Sequence, residues 1–278
     1  MDVISTAKAH GGVQGVYRHR SRTTDCDMTF AVFVPEHQPG EKLAVLTYLS
    51  GLTCTHQNVM DKGEFRRAAA KHRLIIVTPD TSPRGADVPD EPDNWQFGSG
   101  AGFYVDATEA PYNANYRMYS YITDELPALL AVNFPVATTR QGIFGHSMGG
   151  HGAMTIALKN PDIYRSCSAF APIVHPARAD WSRPAFEKYL GADAKAWRDY
   201  DTCLLIEDGK RFPGFLVDQG TDDQFLENGL RPELLKAACE TARIPLTLNM
   251  REGYDHSYNF ISTFMDDHLA WHAKRLKP

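Results

Sequence analysis

One pentapeptide, GHSMG (145–149), constrains this chain more than any other feature of the sequence. The apolar run before it predicts a strand, and the small and apolar residues after it predict a helix. The pattern G-x-S-x-G at a strand-to-helix turn is typical of a serine held in a strained backbone conformation, which needs neighbours without side chains. The start of a helix also places backbone N–H groups near any negative charge that develops there. We therefore predict that Ser147 is a nucleophile.

Short apolar runs alternate with helical patterns along most of the chain. The predicted strands are LAVLTYL (43–49), LIIVTP (74–79), GIFG (142–145), SCSAFAP (166–172), FLVD (215–218) and LTLNM (246–250), and the predicted helices are FRRAAAKH (65–72), ITDELPALLAV (122–132), MGGHGAMTIAL (148–158), PELLKAACETAR (232–243) and FISTFMDDHLAWHAKRL (260–276). This order favours an α/β protein with a mostly parallel central sheet and helices on both faces. Together with the serine turn it predicts the α/β-hydrolase fold.

Two further segments complete the predicted fold. MTFAVFVP (28–35) predicts an antiparallel edge strand ahead of the parallel part of the sheet. The stretch 81–102 is rich in Gly and Pro, and we interpret it as a long loop over the site.

Size and composition exclude several classes of protein. The 278 residues, 43% of them hydrophobic, suffice for a single domain spanning 1–278. A net charge of −5 and the lack of a long charge run argue against nucleic acid and anionic membranes as partners. The five cysteines have no Cys-x-x-Cys spacing, so we expect reduced thiols, no zinc site and a soluble cytoplasmic protein without a signal peptide.

A serine nucleophile needs a histidine base, and in this fold the acid and then the base follow the serine along the chain. Of the downstream histidines, only His256 is predicted in a loop after a late strand, within GYDHS (253–257). His268 and His272 are one turn apart on the last predicted helix. That spacing permits a metal pair, but without a third ligand we interpret both as part of a solvated helix face.

The acid is predicted in the loop after the strand FLVD, where two aspartates are adjacent. Asp223 is favoured over Asp222 because hydrolases of this fold often place the acid three residues after such a glycine. Asp218 and Asp255 are alternatives. The aspartate that does not face the histidine is expected to cap the following turn.

An oxyanion hole requires two backbone N–H groups. Met148, directly after the nucleophile, supplies the first, and Leu52 or its neighbour in the loop SGLTC (50–54) supplies the second, with Gly51 permitting close approach. Cys54 lies beside this loop. It is either a thiol whose modification blocks the site or a small buried residue that fills space.

Many segments of this sequence closely resemble one family, the S-formylglutathione hydrolases, also called esterase D. The matching stretches are SGLTC (50–54), PDTSPRG (79–85), GAGFYVDAT (100–108), YRMYSY (116–121), DELP (124–127), GHSMGGHGAM (145–154), SAFAPI (168–173), DQGTDDQF (218–225) and GYDHSY (253–258). The resemblance implies the same nucleophile, acid, base and oxyanion donors, namely Ser147, Asp223, His256, Leu52 and Met148. The sequence departs from the family at Asn259 and Gln96, which concerns only details of the pocket.

The resemblance further implies hydrolysis of S-formylglutathione to glutathione and formate, without a metal or organic cofactor, by a homodimer. The basic residues Arg84, Lys62 and Arg117 are available to bind glutathione carboxylates, and Trp95 and Trp181 to close the acyl pocket. A carboxylesterase, an acyltransferase and a non-catalytic binding protein on the same fold are the competing hypotheses.

Overall fold

In a computed structural model, residues 1–180 and 182–277 are described. The strands are β1 (Asp2–Ala9), β2 (Gly12–Arg20), β3 (Asp27–Val34), β4 (Leu43–Leu49), β5 (Leu74–Pro79), β6 (Val136–His146), β7 (Tyr164–Phe170), β8 (Phe215–Gly220) and β9 (Leu246–Arg251). The helices are α1 (His56–Lys62), α2 (Arg66–His72), α3 (Met118–Ser120), α4 (Leu126–Asn133), α5 (Met148–Lys159), α6 (Arg183–Leu190), α7 (Ala194–Trp197), α8 (Thr202–Glu207), α9 (Pro232–Ala242) and α10 (Tyr258–Arg275).

These strands form one sheet in the order β1-β2-β3-β5-β4-β6-β7-β8-β9. The pairs from β5 through β9 are parallel, whereas β1, β2 and β3 continue the sheet through antiparallel pairs up to β5. The predicted mostly parallel sheet is therefore confirmed.

Helices cover both faces of the sheet. The contacts of β7 show this, because successive side chains of a strand point to opposite faces. On β7, Ser168 bonds to His272 of α10. The next residue, Ala169, lies instead against Gly150 of α5. The helix that follows the serine turn and the last helix thus pack on opposite faces of the same central strand.

The predicted edge strand is wrong in position. Residues 28–35 correspond to β3, which is antiparallel as expected, but β1 and β2 extend the sheet beyond it. The residues of β1 are almost all exposed, and its sequence has no alternation of apolar and polar residues that would indicate a strand. The parallel strands β4, β5 and β8 are buried at every position, which is why their continuous apolar runs were readily recognised.

Candidate active site

The turn between β6 and α5 holds Ser147 in an unusual backbone conformation. Its φ of 58° and ψ of −119° lie outside the regions that residues with side chains normally adopt, at a cost of about 1–3 kcal/mol. Hydrogen bonds on both sides fix this conformation: the Ser147 N–H donates to the carbonyl of Phe170 at 3.0 Å, and its own carbonyl accepts from His151 at 3.0 Å.

The glycines of the pentapeptide are required by space. A Cβ atom on Gly149 would lie 1.9 Å from the carbonyl oxygen of Leu49, and one on Gly145 would lie 2.4 Å from the carbonyl oxygen of Gly149. Both distances are far below van der Waals contact. The strand and the helix can therefore approach each other at the serine only because these positions lack side chains.

His256 and Asp223 form a tight pair. His256 Nδ1 lies 2.6 Å from Asp223 Oδ2, and the aspartate side chain is completely buried. The carboxylate also accepts from the Phe225 N–H at 2.9 Å and from Gln219 Nε2 at 3.1 Å. The carboxylate accepts these bonds, and the close contact with Nδ1 of His256 is a hydrogen bond when Nδ1 carries the proton. The other ring nitrogen is then the one able to accept a proton.

The three alternative aspartates have other environments. Asp222 is exposed, and its side chain accepts only from the hydroxyl of Thr221 among the described residues. Asp218 is buried and paired with Arg251, and Asp255 caps Ser257 at the start of α10. The aspartate that does not face the histidine was expected to cap the following turn. Instead Asp223 caps this turn itself, by accepting the Phe225 N–H.

A cavity of about 300 Å³ opens at this site. Its lining residues are Gly51, Leu52, Thr53, Cys54, Asn58, Trp95, His146, Ser147, Phe225, His256 and Tyr258. Ser147 and His256 therefore face the same space, without a hydrogen bond between their side chains. Such bonds are commonly loose in unliganded hydrolases and tighten when substrate binds.

Two backbone donors are available beside the serine. The Leu52 N–H has no acceptor among the described residues, and the Met148 N–H, at the first position of α5, has no carbonyl within its own helix to bond. Gly51 lies so close to the serine turn that a Cβ there would be 3.2 Å from both His146 Nδ1 and Ser147 Cβ. The structure thus brings together all five residues predicted for catalysis.

Cys54 lines the cavity and is partly exposed, whereas the other four cysteines are buried. Burial raises the pKa of its thiol, an effect opposed by the Tyr258 hydroxyl and by the charges of Lys62 and Arg84. Cys54 is therefore a mainly protonated thiol that reagents entering the cavity can reach.

Sequence reasoning did not assign a role to His146. Its ring packs against that of His256, with 4.3 Å between ring centroids, and neither of its nitrogens has a hydrogen-bond partner among the described residues. Burial, followed by the charge of His256, holds the pKa of His146 well below its usual value. The base therefore lies against a neutral ring. The sequence signal that could have identified His146 was its position directly before Ser147 in the pentapeptide.

The interpretation of His268 and His272 as a solvated face is wrong. Both side chains are completely buried, and they bond to serines of β7 rather than to water. Within residues 1–180 and 182–277, no group of three or more His, Cys, Asp or Glu side chains is arranged to hold a metal ion.

The predicted loop over the site contributes Trp95 to the cavity, although half of this side chain remains exposed. Trp181, the other predicted wall of the acyl pocket, lies outside the described residues. No helix in the described part of the chain is long and apolar enough to cross a membrane.

This sheet, the serine turn and the buried histidine–aspartate pair define a serine esterase of the α/β-hydrolase class. The family model described as "Putative esterase" matches residues 21–271. A staphylococcal fluorophosphonate-binding serine hydrolase shares the fold at 19% identity and a TM-score of 0.75, covering 94% of this chain and 98% of the other.

More similar proteins narrow this class. S-formylglutathione hydrolases of Mus musculus and Paracoccus denitrificans are 52% and 51% identical, covering 98% and 99% of this chain and 98% of each relative. The structure of an S-formylglutathione hydrolase from Agrobacterium tumefaciens is 64% identical over the whole of both chains, with a TM-score of 0.99. The chain belongs to the S-formylglutathione hydrolase family.

Proposed function

We propose that the protein hydrolyses S-formylglutathione to glutathione and formate in the cytoplasm. The observation that carries this proposal is the convergence of Ser147, His256 and Leu52 on one cavity, with the Met148 N–H directly after the serine, in a chain that matches S-formylglutathione hydrolases over nearly its full length. Asp223 orients the base, and the reaction proceeds through a formyl ester of Ser147.

In the first half of the reaction, the hydroxyl of Ser147 attacks the thioester carbonyl while His256 Nε2 takes its proton. The negative charge on the carbonyl oxygen is stabilised by the N–H groups of Leu52 and Met148. The C–S bond then breaks, and the imidazolium of His256 returns the proton to the departing sulfur, which releases glutathione as a thiol.

In the second half, water takes the place of glutathione. His256 accepts a proton from the water as it attacks the formyl carbonyl, and then protonates Ser147 Oγ as formate leaves. Throughout both halves Asp223 remains ionised, holds the proton on Nδ1 and stabilises the imidazolium.

Lys62 is the best candidate to bind a glutathione carboxylate. Asn58 of α1 lines the cavity, and Lys62 lies one turn further along the same helix face. Lys62 makes no ion pair with a described residue, whereas Arg84 is paired with Asp80 at 3.1 Å and donates to the Cys54 carbonyl at 3.2 Å. Arg117 is exposed, and nothing places it at the cavity.

A carboxylesterase with broad acyl tolerance is the competing function, since the same catalytic groups cleave oxygen esters. The decisive test compares kcat/KM for S-formylglutathione, S-acetylglutathione and a small activated oxygen ester in one preparation. We expect kcat/KM to fall more than tenfold from the formyl to the acetyl thioester, because a filled acyl pocket rejects a larger group strongly. Comparable values for all three substrates would favour the carboxylesterase.

The same proposal includes a homodimer, which rests on the family resemblance. Light scattering coupled to size-exclusion chromatography would give the molar mass in solution. A mass near that of one chain would remove the dimer from the proposal without affecting the reaction.

A further inference from the structure

A line of hydrogen-bonded side chains crosses the core on the face of the sheet that α10 covers. Ser166 Oγ lies 2.6 Å from His272 Nδ1, and Ser168 Oγ lies 2.8 Å from both His272 Nε2 and His268 Nδ1. The remaining nitrogen of His268, Nε2, faces Oδ1 of Asp218 at 3.8 Å. All five side chains are completely buried. We call them the buried polar chain.

The proton positions in the buried polar chain follow from its charged end. The carboxylate of Asp218 orients the His268 Nε2–H toward itself, so His268 Nδ1 must accept from the Ser168 hydroxyl. Ser168 Oγ in turn accepts from the His272 Nε2–H, and His272 Nδ1 accepts from the Ser166 hydroxyl. Burial lowers the pKa of both histidines, so both rings are neutral, as this arrangement requires.

Asp218 is itself anchored. Burial alone would raise its pKa, but His268, Asn249 and Arg251 together hold the pKa of this carboxyl below its usual value. Asn249 Nδ2 donates to Oδ1 at 2.7 Å, and Arg251 Nε donates to Oδ2 at 2.8 Å. The charged end is therefore fixed from β9 as well.

The buried polar chain joins the elements that carry the proposed nucleophile. Phe170, at the end of β7, accepts the N–H of Ser147 through its carbonyl. The Phe170 ring also stacks on His268, with 3.8 Å between centroids and 20° between planes. His268 therefore packs directly against the residue whose carbonyl holds the serine turn.

The segments that carry the acid and the base are also connected to the buried polar chain. β8 carries Asp218 and leads into the loop that holds Asp223, and the Asp218 carbonyl accepts the Ala171 N–H at 2.8 Å. α10, which carries both histidines, begins at Tyr258, directly after the segment that holds His256. Side-chain hydrogen bonds therefore link β7 to α10, and Asp218 of β8 faces His268 of α10 across 3.8 Å.

Stability alone does not explain such an arrangement, because well-packed apolar side chains in place of a buried polar network often give equal or greater stability. Hydrogen bonds between buried side chains do impose one relative position on the elements they join. We propose that the buried polar chain is a positioning device that sets the separation of the three catalytic side chains, with Ser168 as its central positioning residue. This inference rests on the triad assigned under the proposed function.

The test is Ser168→Ala, which removes the partner of both histidines. The matched control is Ser21→Ala, which removes another buried hydroxyl, one that donates to Glu125 Oε2 at 2.7 Å far along the chain from the triad. Three quantities are measured at a temperature where each variant is folded: the rate of Ser147 labelling by a fluorophosphonate, kcat and KM for a small activated ester, and the downfield NMR resonance of the His256 Nδ1 proton. The resonance is assigned to the His256 Nδ1 proton if it is absent from the spectrum of Asp223→Asn.

For Ser168→Ala we expect labelling and kcat to fall at least about tenfold with KM unchanged, because displacements of about 1 Å cost on the order of 10²-fold in rate. The Nδ1 resonance should shift, while Ser21→Ala stays within about twofold of wild type. A lowered melting temperature with wild-type rates and resonance would overturn the inference and leave a purely structural role. If Ser168→Ala does not fold, Ser166→Ala, which breaks one bond of the chain, is measured in the same way. An unlabelled wild type would instead refute the proposed triad.

Discussion

Asp223→Asn is the sharpest test of the proposed site, because the structure fixes what each atom of the new side chain must do. Both carboxylate oxygens accept: Oδ1 from the Phe225 N–H, and Oδ2 from His256 Nδ1 and Gln219 Nε2. An asparagine has one oxygen and one NH₂ group. One of these positions therefore acquires a donor that faces a donor.

If the NH₂ group takes the Oδ2 position, His256 must accept at Nδ1, and its proton moves to Nε2. The ring is then in the tautomer that cannot take the proton of Ser147. If the NH₂ group instead takes the Oδ1 position, it faces the Phe225 N–H, and His256 keeps its proton on Nδ1; the loss of activity that we expect corresponds to the first arrangement. In another serine hydrolase the equivalent substitution lowers kcat about 10⁴-fold, and we expect a loss of about 10³- to 10⁴-fold here.

The assay is kcat for S-formylglutathione with circular dichroism as a check of folding. Asp222→Asn is the matched control, since it makes the same chemical change on the exposed neighbour, and it should retain activity within about twofold. Equal losses in the two variants, or a greater loss in Asp222→Asn, would move the acid to Asp222. More than a tenth of wild-type activity in Asp223→Asn would refute the tautomer argument.

Three further predictions address the nucleophile, the thiol and the substrate. Ser147→Ala should lose at least about 10³-fold in kcat with an unchanged melting temperature; a tenth of the activity remaining would exclude this nucleophile. Cys54→Ser should stay active and lose its inactivation by a bulky thiol reagent, and in wild type the rate of inactivation should still rise above pH 9, because the thiol pKa is raised; unchanged sensitivity would implicate another cysteine. Lys62→Gln should raise KM for S-formylglutathione about threefold to fivefold, as for loss of an exposed ion pair, and leave a small ester and the control Lys71→Gln unaffected; equal effects on both substrates would exclude a glutathione contact.

The candidate site could be predicted because each of its residues obeys a local rule. Ser147 is recognised from its glycine neighbours, and His256 from its place in a loop after the last strand. Asp223 follows a glycine at the end of β8 by a fixed spacing. In a parallel sheet, loops after successive strands meet at one edge, so residues far apart in sequence converge there.

The outer part of the sheet lacked such rules. β1 and β2 form an antiparallel hairpin whose outer strand is exposed at almost every residue, so its sequence carries no apolar alternation. The short helices α6 to α8 have only 8, 4 and 6 residues, too few for a helical period to distinguish them from loops. Tertiary contacts, rather than local preference, determine these segments.

For His268 and His272 the sequence did contain a signal of burial, but it becomes clear only when the helix is considered together with the strand that it covers. His268 and His272 follow Ile261 and Met265 at spacings of three and four residues, which places them on the buried stripe of α10. A histidine on such a stripe needs a polar partner, and two serines separated by one residue on a central strand present hydroxyls to a single face. A pair of serines on a buried strand, together with histidines on the apolar stripe of a covering helix, therefore predicts a buried polar chain. Recognising it requires considering the strand and the helix together, because each segment alone suggests only polar residues on a surface.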